Sequence, residues 1–413
     1  MEQNISKIKR SIKLYPLFYA FSADLVFFVP IDTLFLTLVK GLNASQISAI
    51  TMISLLFCIL SQKIIVKVTK KIGNTNSIRL GVFLLFLSSV ILTFGKSFIS
   101  IVIYRIINEL AFMFWNMTSI LLRNNLIYIN KKDEYYTIRN KAKVLYGIIT
   151  MITALLSGYL FNANKYLPMY ISIIIYFIIF IMSFGFSEAN IKDEENKKEI
   201  HNSNKKLKFN SIISLVLLSN ALFYSLIKLG QPNSKLFMQY DFLKFLSVEM
   251  VTYYITTIVF ISRIARLVGN VIFEKVYLKI KNKMSVILTI CLALAFSLLI
   301  IGHFIELAFI CKVIIMSLGF FLILAIRDSF QTYIEDVALT ISNKDEQQEI
   351  IIKIEVYRRL GTLILSAIFT LIFMKYELIV IEFILLGLSI IEIFINKSLC
   401  NKLSNYSIVA KNG

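Results

Sequence analysis

Apolar runs of about 18 residues or more recur along the whole chain, divided by short polar stretches rich in lysine and asparagine. A helix of that length crosses the hydrocarbon layer of a bilayer. The pattern predicts twelve spans, at about 14–39, 45–66, 77–95, 97–122, 144–161, 167–187, 210–230, 249–273, 284–302, 305–326, 358–375 and 377–396. The expected fold is therefore all-α, a polytopic membrane protein of twelve transmembrane helices in two pseudo-symmetric six-helix bundles. The first run contains acids and is followed by no small-residue cleavage site, so it reads as a retained helix and not as a signal peptide. The longest hydrophilic stretch, "SEANIKDEENKKEIHNSNKKLKF" at 187–209, mixes both charge signs without an apolar period and reads as a solvated linker. It divides the chain into an N-terminal bundle, 1–187, a cytoplasmic linker, 188–209, and a C-terminal bundle, 210–413.

Composition agrees with the pattern. The chain has 413 residues, is 57% hydrophobic and has a mean hydropathy of +0.75, whereas soluble domains are about 45–50% apolar. The net charge of +19 raises the question of nucleic acid. Position answers it. Most of the 44 Lys and Arg fall in the two tails and in alternate loops, which leaves the opposite side only Lys40, Lys96, Lys165, Lys228, Lys235, Lys244 and Lys375. That asymmetry places the basic loops and both termini in the cytoplasm. Both ends on one side require an even number of spans, and the excess charge needs no nucleic-acid partner. Cys58, Cys291 and Cys311 lie in apolar segments, no two of the four cysteines have a metal or redox spacing, and His201 and His303 are the only histidines. No metal, disulfide or cofactor is expected. No G-x-x-x-x-G-K-(S/T) loop occurs, so ATP is not the direct driver of any transport.

The two halves resemble each other. "VKVTKKIGN" at 66–74 and "EKVYLKIKN" at 274–282 share Lys, Val, Lys, Ile and Asn in register, each after the second span of its half. "KDEYYTI" at 132–138 and "KDEQQEI" at 344–350 match after the fourth span of each half. Duplicated six-helix units around a midplane site are a transporter architecture. With these residues the chain resembles the major facilitator superfamily. That family has a loop G-x-x-x-D-(R/K)-x-G-(R/K)-(R/K) after its second helix. Here Lys71 and Gly73 fit its basic residue and second glycine, while Val66 and Lys70 replace its first glycine and its aspartate. Of the R-x-x-Q-G of its fourth helix, "RIINE" supplies Arg105, with Asn108 in the glutamine place and Glu109 in the glycine place. The antiporter signature G-P-x-x-G-G is reduced to Gly158 in "TALLSG". The resemblance implies alternating access, a conformational role for the loop with Lys71 and Gly73, and a central cavity lined by the first and fourth spans.

Charges inside spans are the candidate chemistry, because each costs about 2.5–3.5 kcal/mol at the bilayer centre unless a cavity or partner solvates it. In "ADLVFFVPID", Asp24 falls roughly 15 Å up the first span, near the midplane, and Asp32 roughly 12 Å further, with Pro30 able to kink the helix between them. Arg105 reaches a similar depth in the fourth span, and Glu109 shares its face one turn away. Asp24, Arg105, Asn108 and Glu109 are the expected coupling group. Asp24 is either a proton carrier or the fixed partner of Arg105. Arg263 and Arg266 share a face of the eighth span. The two arginines read either as snorkelling side chains or as an anion-binding pair, and together with Asp32 and Lys312 they are the candidate cavity residues.

The function read from these features is secondary active transport, not enzymatic catalysis. The expectation is a multi-pass monomer in a bacterial cytoplasmic membrane that moves a small organic solute with protons as coupling ion, leaning to efflux. Uptake of an anionic solute is the alternative, and a non-transporting membrane sensor or partner subunit is the alternative of another class.

Overall fold

The protein is described from a computed structural model, over residues 2–131, 134–189, 211–280, 283–305, 308–341 and 347–412. Residues 190–209 of the expected linker lie outside the described residues, as do parts of the second repeat pair at 132–133 and 344–346. Among the described residues the chain is almost wholly helical, with short connecting turns and no strand. The first span is broken into Glu2–Ser22 and Val29–Val39, and the second and third share the long helix Ala44–Phe94. The fourth is Phe98–Trp115 continued by Met117–Tyr128, the fifth Glu134–Ala163 and the sixth Leu167–Ser183. The seventh to twelfth are Ser211–Phe242, Val248–Ile280, Met284–Phe304, Phe309–Ile341, Gln347–Phe373 and Leu378–Asn412.

Nine of these helices are long and apolar enough to cross a membrane. Ala44–Phe94 counts once among them although a backbone break at Gly73 makes it two spans. The broken first span and the shorter apolar helix Leu167–Ser183 bring the number to the expected twelve.

Several helices outrun the apolar runs that predict them. The tenth continues to Ile341 and the eleventh begins at Gln347, where the hydropathy pattern ends at 326 and begins at 358. Hydropathy marks only the stretch that lipid can solvate. A polar extension satisfies its backbone within the helix and its side chains in water.

Two breaks have local causes. Pro30 lacks an N–H, and its ring conflicts with the carbonyl four residues back, at Val26. The chain accordingly leaves the helix at Ala23–Phe28 and re-enters through a tight turn in which Phe28 N–H donates to the Leu25 carbonyl at 2.9 Å. The kink was expected just beyond Asp24; the break includes Asp24 itself. At Gly73 the backbone adopts φ 80° and ψ 168°, a region essentially closed to other residues at a cost of roughly 1–3 kcal/mol. An added Cβ would meet nothing nearer than Glu188 Oε2 at 3.7 Å, so the requirement for glycine is torsional. Glu188 fastens this turn from beyond the end of the sixth span. It accepts from the Asn74 N–H at 3.2 Å and also from the Asn74 side-chain amide. Lys71 stands exposed on the preceding turn.

The chain divides into two compact units, Met1–Asp193 with Thr252–Phe260, and Glu194–Val251 with Ile261–Gly413. In the second unit the eighth and tenth spans touch backbone to backbone. A Cβ on Gly269 would lie 2.5 Å from the Ala325 carbonyl oxygen and 2.8 Å from its Cα. Small residues permit such an approach between membrane helices. It places the turn of Arg266 directly against the turn of Asp328.

Candidate functional site

In the first unit the break in the first span presents Asp24 away from any continuous helix. Its Oδ1 accepts from the Leu25 N–H at 3.0 Å and its Oδ2 from the Tyr146 hydroxyl of the fifth span at 3.3 Å. Aromatic rings pack beside it. Tyr19 meets Tyr146 edge-on at 6.3 Å and Trp115 at 5.2 Å, and the Trp115 indole N–H donates to Ser22 Oγ at 2.8 Å. Unwound backbone flanked by half-helices is a recurrent setting for ion and substrate sites in transporters.

Arg105 does not pair with Asp24. Its guanidinium meets Glu109 at 3.0 Å, one turn along the same helix, and Asp24 acts on it only at longer range. Of the two readings of Asp24, the fixed pair with Arg105 is absent: Arg105 pairs within its own helix, at an i,i+4 spacing that needs no tertiary fit. Among the described residues no cation is paired with Asp24. Asn108 is buried and turned to the third span, where its amide donates to Ser88 Oγ at 3.4 Å. Asp32 sits at the helix re-entry beyond Pro30 and accepts the Thr33 N–H at 2.6 Å.

In the second unit Arg266 grips Asp328 with two parallel bonds, Nε to Oδ2 at 2.6 Å and an outer nitrogen to Oδ1 at 2.9 Å. The Asn270 amide adds a contact at 3.4 Å. Arg327 donates to Gln231 Oε1 of the seventh span at 3.4 Å, and Arg263 is buried one turn before Arg266. Lys312 is not part of this group. It donates to Asp241 Oδ2 and to the His303 carbonyl, both at 3.0 Å, and Asp241 also meets His303 and Lys244. Lys312 precedes Asp328 by sixteen residues on one helix, roughly 24 Å.

The residues 11–239 match a family model described as the MFS_1 like family, more than half of the chain. The chain belongs to the major facilitator superfamily. No curated protein matches this superfamily member. Its fold is that of solved transporters at low identity. A nucleoside transporter, NupG, in a mutant form aligns with TM-score 0.76 and 10% identity over 94% of this chain and 99% of that one. A bacterial homologue of the iron transporter ferroportin gives 0.69 and 14% over 96% and 98%. A D-xylose–proton symporter gives 0.68 and 12% over 95% and 97%. The all-α twelve-helix layout expected from the apolar pattern is the layout these structures share.

Several residues of this superfamily member escape a reading based on Asp24 and the arginines of the eighth span. Tyr146 carries no charge to mark it. Asp328 and Arg327 follow directly on an apolar run and look like loop. Glu382 and Glu392 were legible as acids within the last apolar run. Both are buried: Ser234 donates to Glu382 at 3.4 Å, and Ser219 and Asn396 each donate to Glu392 at 2.6 Å.

Proposed function

We propose that this protein is a secondary active transporter of a bacterial cytoplasmic membrane, with both termini cytoplasmic, and that protons drive it through Asp24. The moving bodies are the two six-helix bundles, 1–187 and 210–413, joined by the linker. The observation that carries the reading is the setting of Asp24, a carboxylate in the unwound middle of a membrane helix, held by a phenol and a backbone amide with no paired cation among the described residues. Such a group gains or loses a proton without breaking an ion pair, and the change of charge biases which side the cavity faces. The superfamily and the transporters that share the fold support the class. Export of a small organic compound is the direction we favour.

A deletion strain grown across an array of toxic compounds and carbon sources tests the function. Export predicts sensitivity to one chemical class, restored by the wild-type gene. Unchanged growth on every compound tried would count against a transport role. Orientation is tested by impermeant thiol labelling in a background without the four native cysteines. Lys165→Cys should label in intact cells, and Lys131→Cys only after the membrane is opened. Labelling of Lys131→Cys from outside would reverse the assigned sides.

A further inference from the structure

The second unit gathers three arginines where the eighth and tenth spans meet, with one carboxylate bonded to them among the described residues. Its other buried arginine, Arg358, is matched by two acids, Glu335 at 3.3 Å and Glu355 at 3.1 Å. Arg263, Arg266 and Arg327 have one between them. Arg266 occupies both oxygens of Asp328. The hydrogen bond of Arg327 goes to a neutral amide, Gln231. Arg263 is only 7% exposed, and its Nε has no hydrogen-bond partner among the described residues. Arg327 is the chain neighbour of Asp328 and Arg263 stands one turn before Arg266, so both flank the Arg266–Asp328 pair.

Arg263 is the decisive member. A snorkelling arginine keeps its head in water or among headgroups, whereas Arg263 is 93% covered by protein and its Nε is buried, which leaves the head little contact with either. A buried guanidinium without a counter-charge is costly, so the cluster is incomplete as it stands. Arg263 lies six residues outward of Gly269 on the eighth span and Arg327 two residues inward of Ala325 on the tenth, so the two long side chains approach from either side of the Arg266–Asp328 pair. The close contact of Gly269 with Ala325 fixes the eighth span against the tenth.

We propose that Arg263 and Arg327, braced by the Arg266–Asp328 pair, form a binding site for a solute that carries a carboxylate or phosphate group. Guanidinium forks match paired oxygens, which selects such oxyanions over halides. The inference deepens the transporter reading by naming a substrate class. It is tested by binding, so it stands or falls separately from any transport measurement.

The test uses the purified full-length protein in phospholipid-free detergent, with thermal melting followed as inorganic phosphate or acetate replaces chloride at constant ionic strength. The expected result is a saturable rise in the melting midpoint with at least one of the two oxyanions. Arg263→Gln and Arg327→Gln should each weaken the apparent affinity about tenfold, the worth of one charge-assisted hydrogen bond. Arg263→Lys, which keeps the charge and lets the cluster fold, should weaken it less. No oxyanion-specific rise in the wild-type protein would overturn the proposal without any variant. An equal rise in cooperatively melting Arg263→Gln and Arg327→Gln proteins would overturn it as well. A rise given by phosphatidylglycerol micelles but by neither free anion would assign the arginines to a lipid headgroup and also overturn the solute site.

Discussion

Asp24→Asn should leave a folded protein that exchanges solute across a membrane but no longer accumulates it against a gradient. Asparagine keeps the shape of the side chain: its one oxygen still accepts from the Leu25 N–H at 3.0 Å, and its NH2 takes the place of the second oxygen and donates to the Tyr146 hydroxyl at 3.3 Å. What it removes is the carboxylate that the proposed coupling requires. Stability should change by no more than about 1 kcal/mol, because Arg105 is already neutralised by Glu109 and is not stranded by the substitution. The measurement is made in proteoliposomes with the compound found by the growth array. Counterflow without a gradient should continue, and uptake driven by an imposed pH gradient should vanish. Full gradient-driven accumulation by the variant would remove Asp24 from coupling. Loss of counterflow together with accumulation would assign Asp24 to solute binding instead.

The largest effect on stability is expected at Arg358. Its side chain is 2% exposed and joins three spans: its Nε donates to Asn220 Oδ1 of the seventh at 3.1 Å, its outer nitrogens meet Glu335 of the tenth and Glu355 of its own, and its guanidinium lies 5.2 Å from the Tyr224 ring. Arg358→Ala deletes all of these contacts and leaves a void between the helices. Asn220 is 1% exposed and has an amide nitrogen that is already unpaired, so its carbonyl would become a second unsatisfied group. Glu335 and Glu355 are 39% and 54% exposed and remain hydrated, which limits the penalty on their side. The expected cost is about 3–5 kcal/mol, seen as a lower melting midpoint and a lower yield of folded protein. A variant that melts with the wild type would show Arg358 to be a passenger in the packing.

The layout of the fold was legible because lipid imposes it. An apolar run long enough to span has one stable solution, and the sidedness of lysine and arginine is independent of detail. Helix ends were less legible, and that decided how the sites were read. Arg327 and Asp328 follow an apolar run whose last residue is Ile326, so they pass for loop, yet the helix continues through them and Asp328 becomes the partner of Arg266. Arg358 looks like a loop cation for the same reason. Partners were harder still. Asp24 and Arg105 share a depth, but depth along two helices says nothing about rotation, and the nearer acid on the arginine's own helix took the pair. Lys312 went to Asp241 because both stand at the same end of their spans. Glu382 and Glu392 needed no new principle. The reasoning that singles out Asp24 in an apolar run applies to them unchanged.

Those two glutamates bear on how the protein is made. Both lie on the last span, and the serines that receive them, Ser234 and Ser219, lie on the seventh. A solitary helix carrying two acids is a poor substrate for release into lipid. The seventh helix leaves the ribosome long before the twelfth, so its hydroxyls are already in the membrane when the acids arrive. The final helix of the second half is thus matched to the first helix of that half, and assembly of this half ends as a clasp closing on a part laid down at its beginning. A chain cut short before Leu378 would lack both acids and leave Ser219 and Ser234 without the carboxylates they donate to.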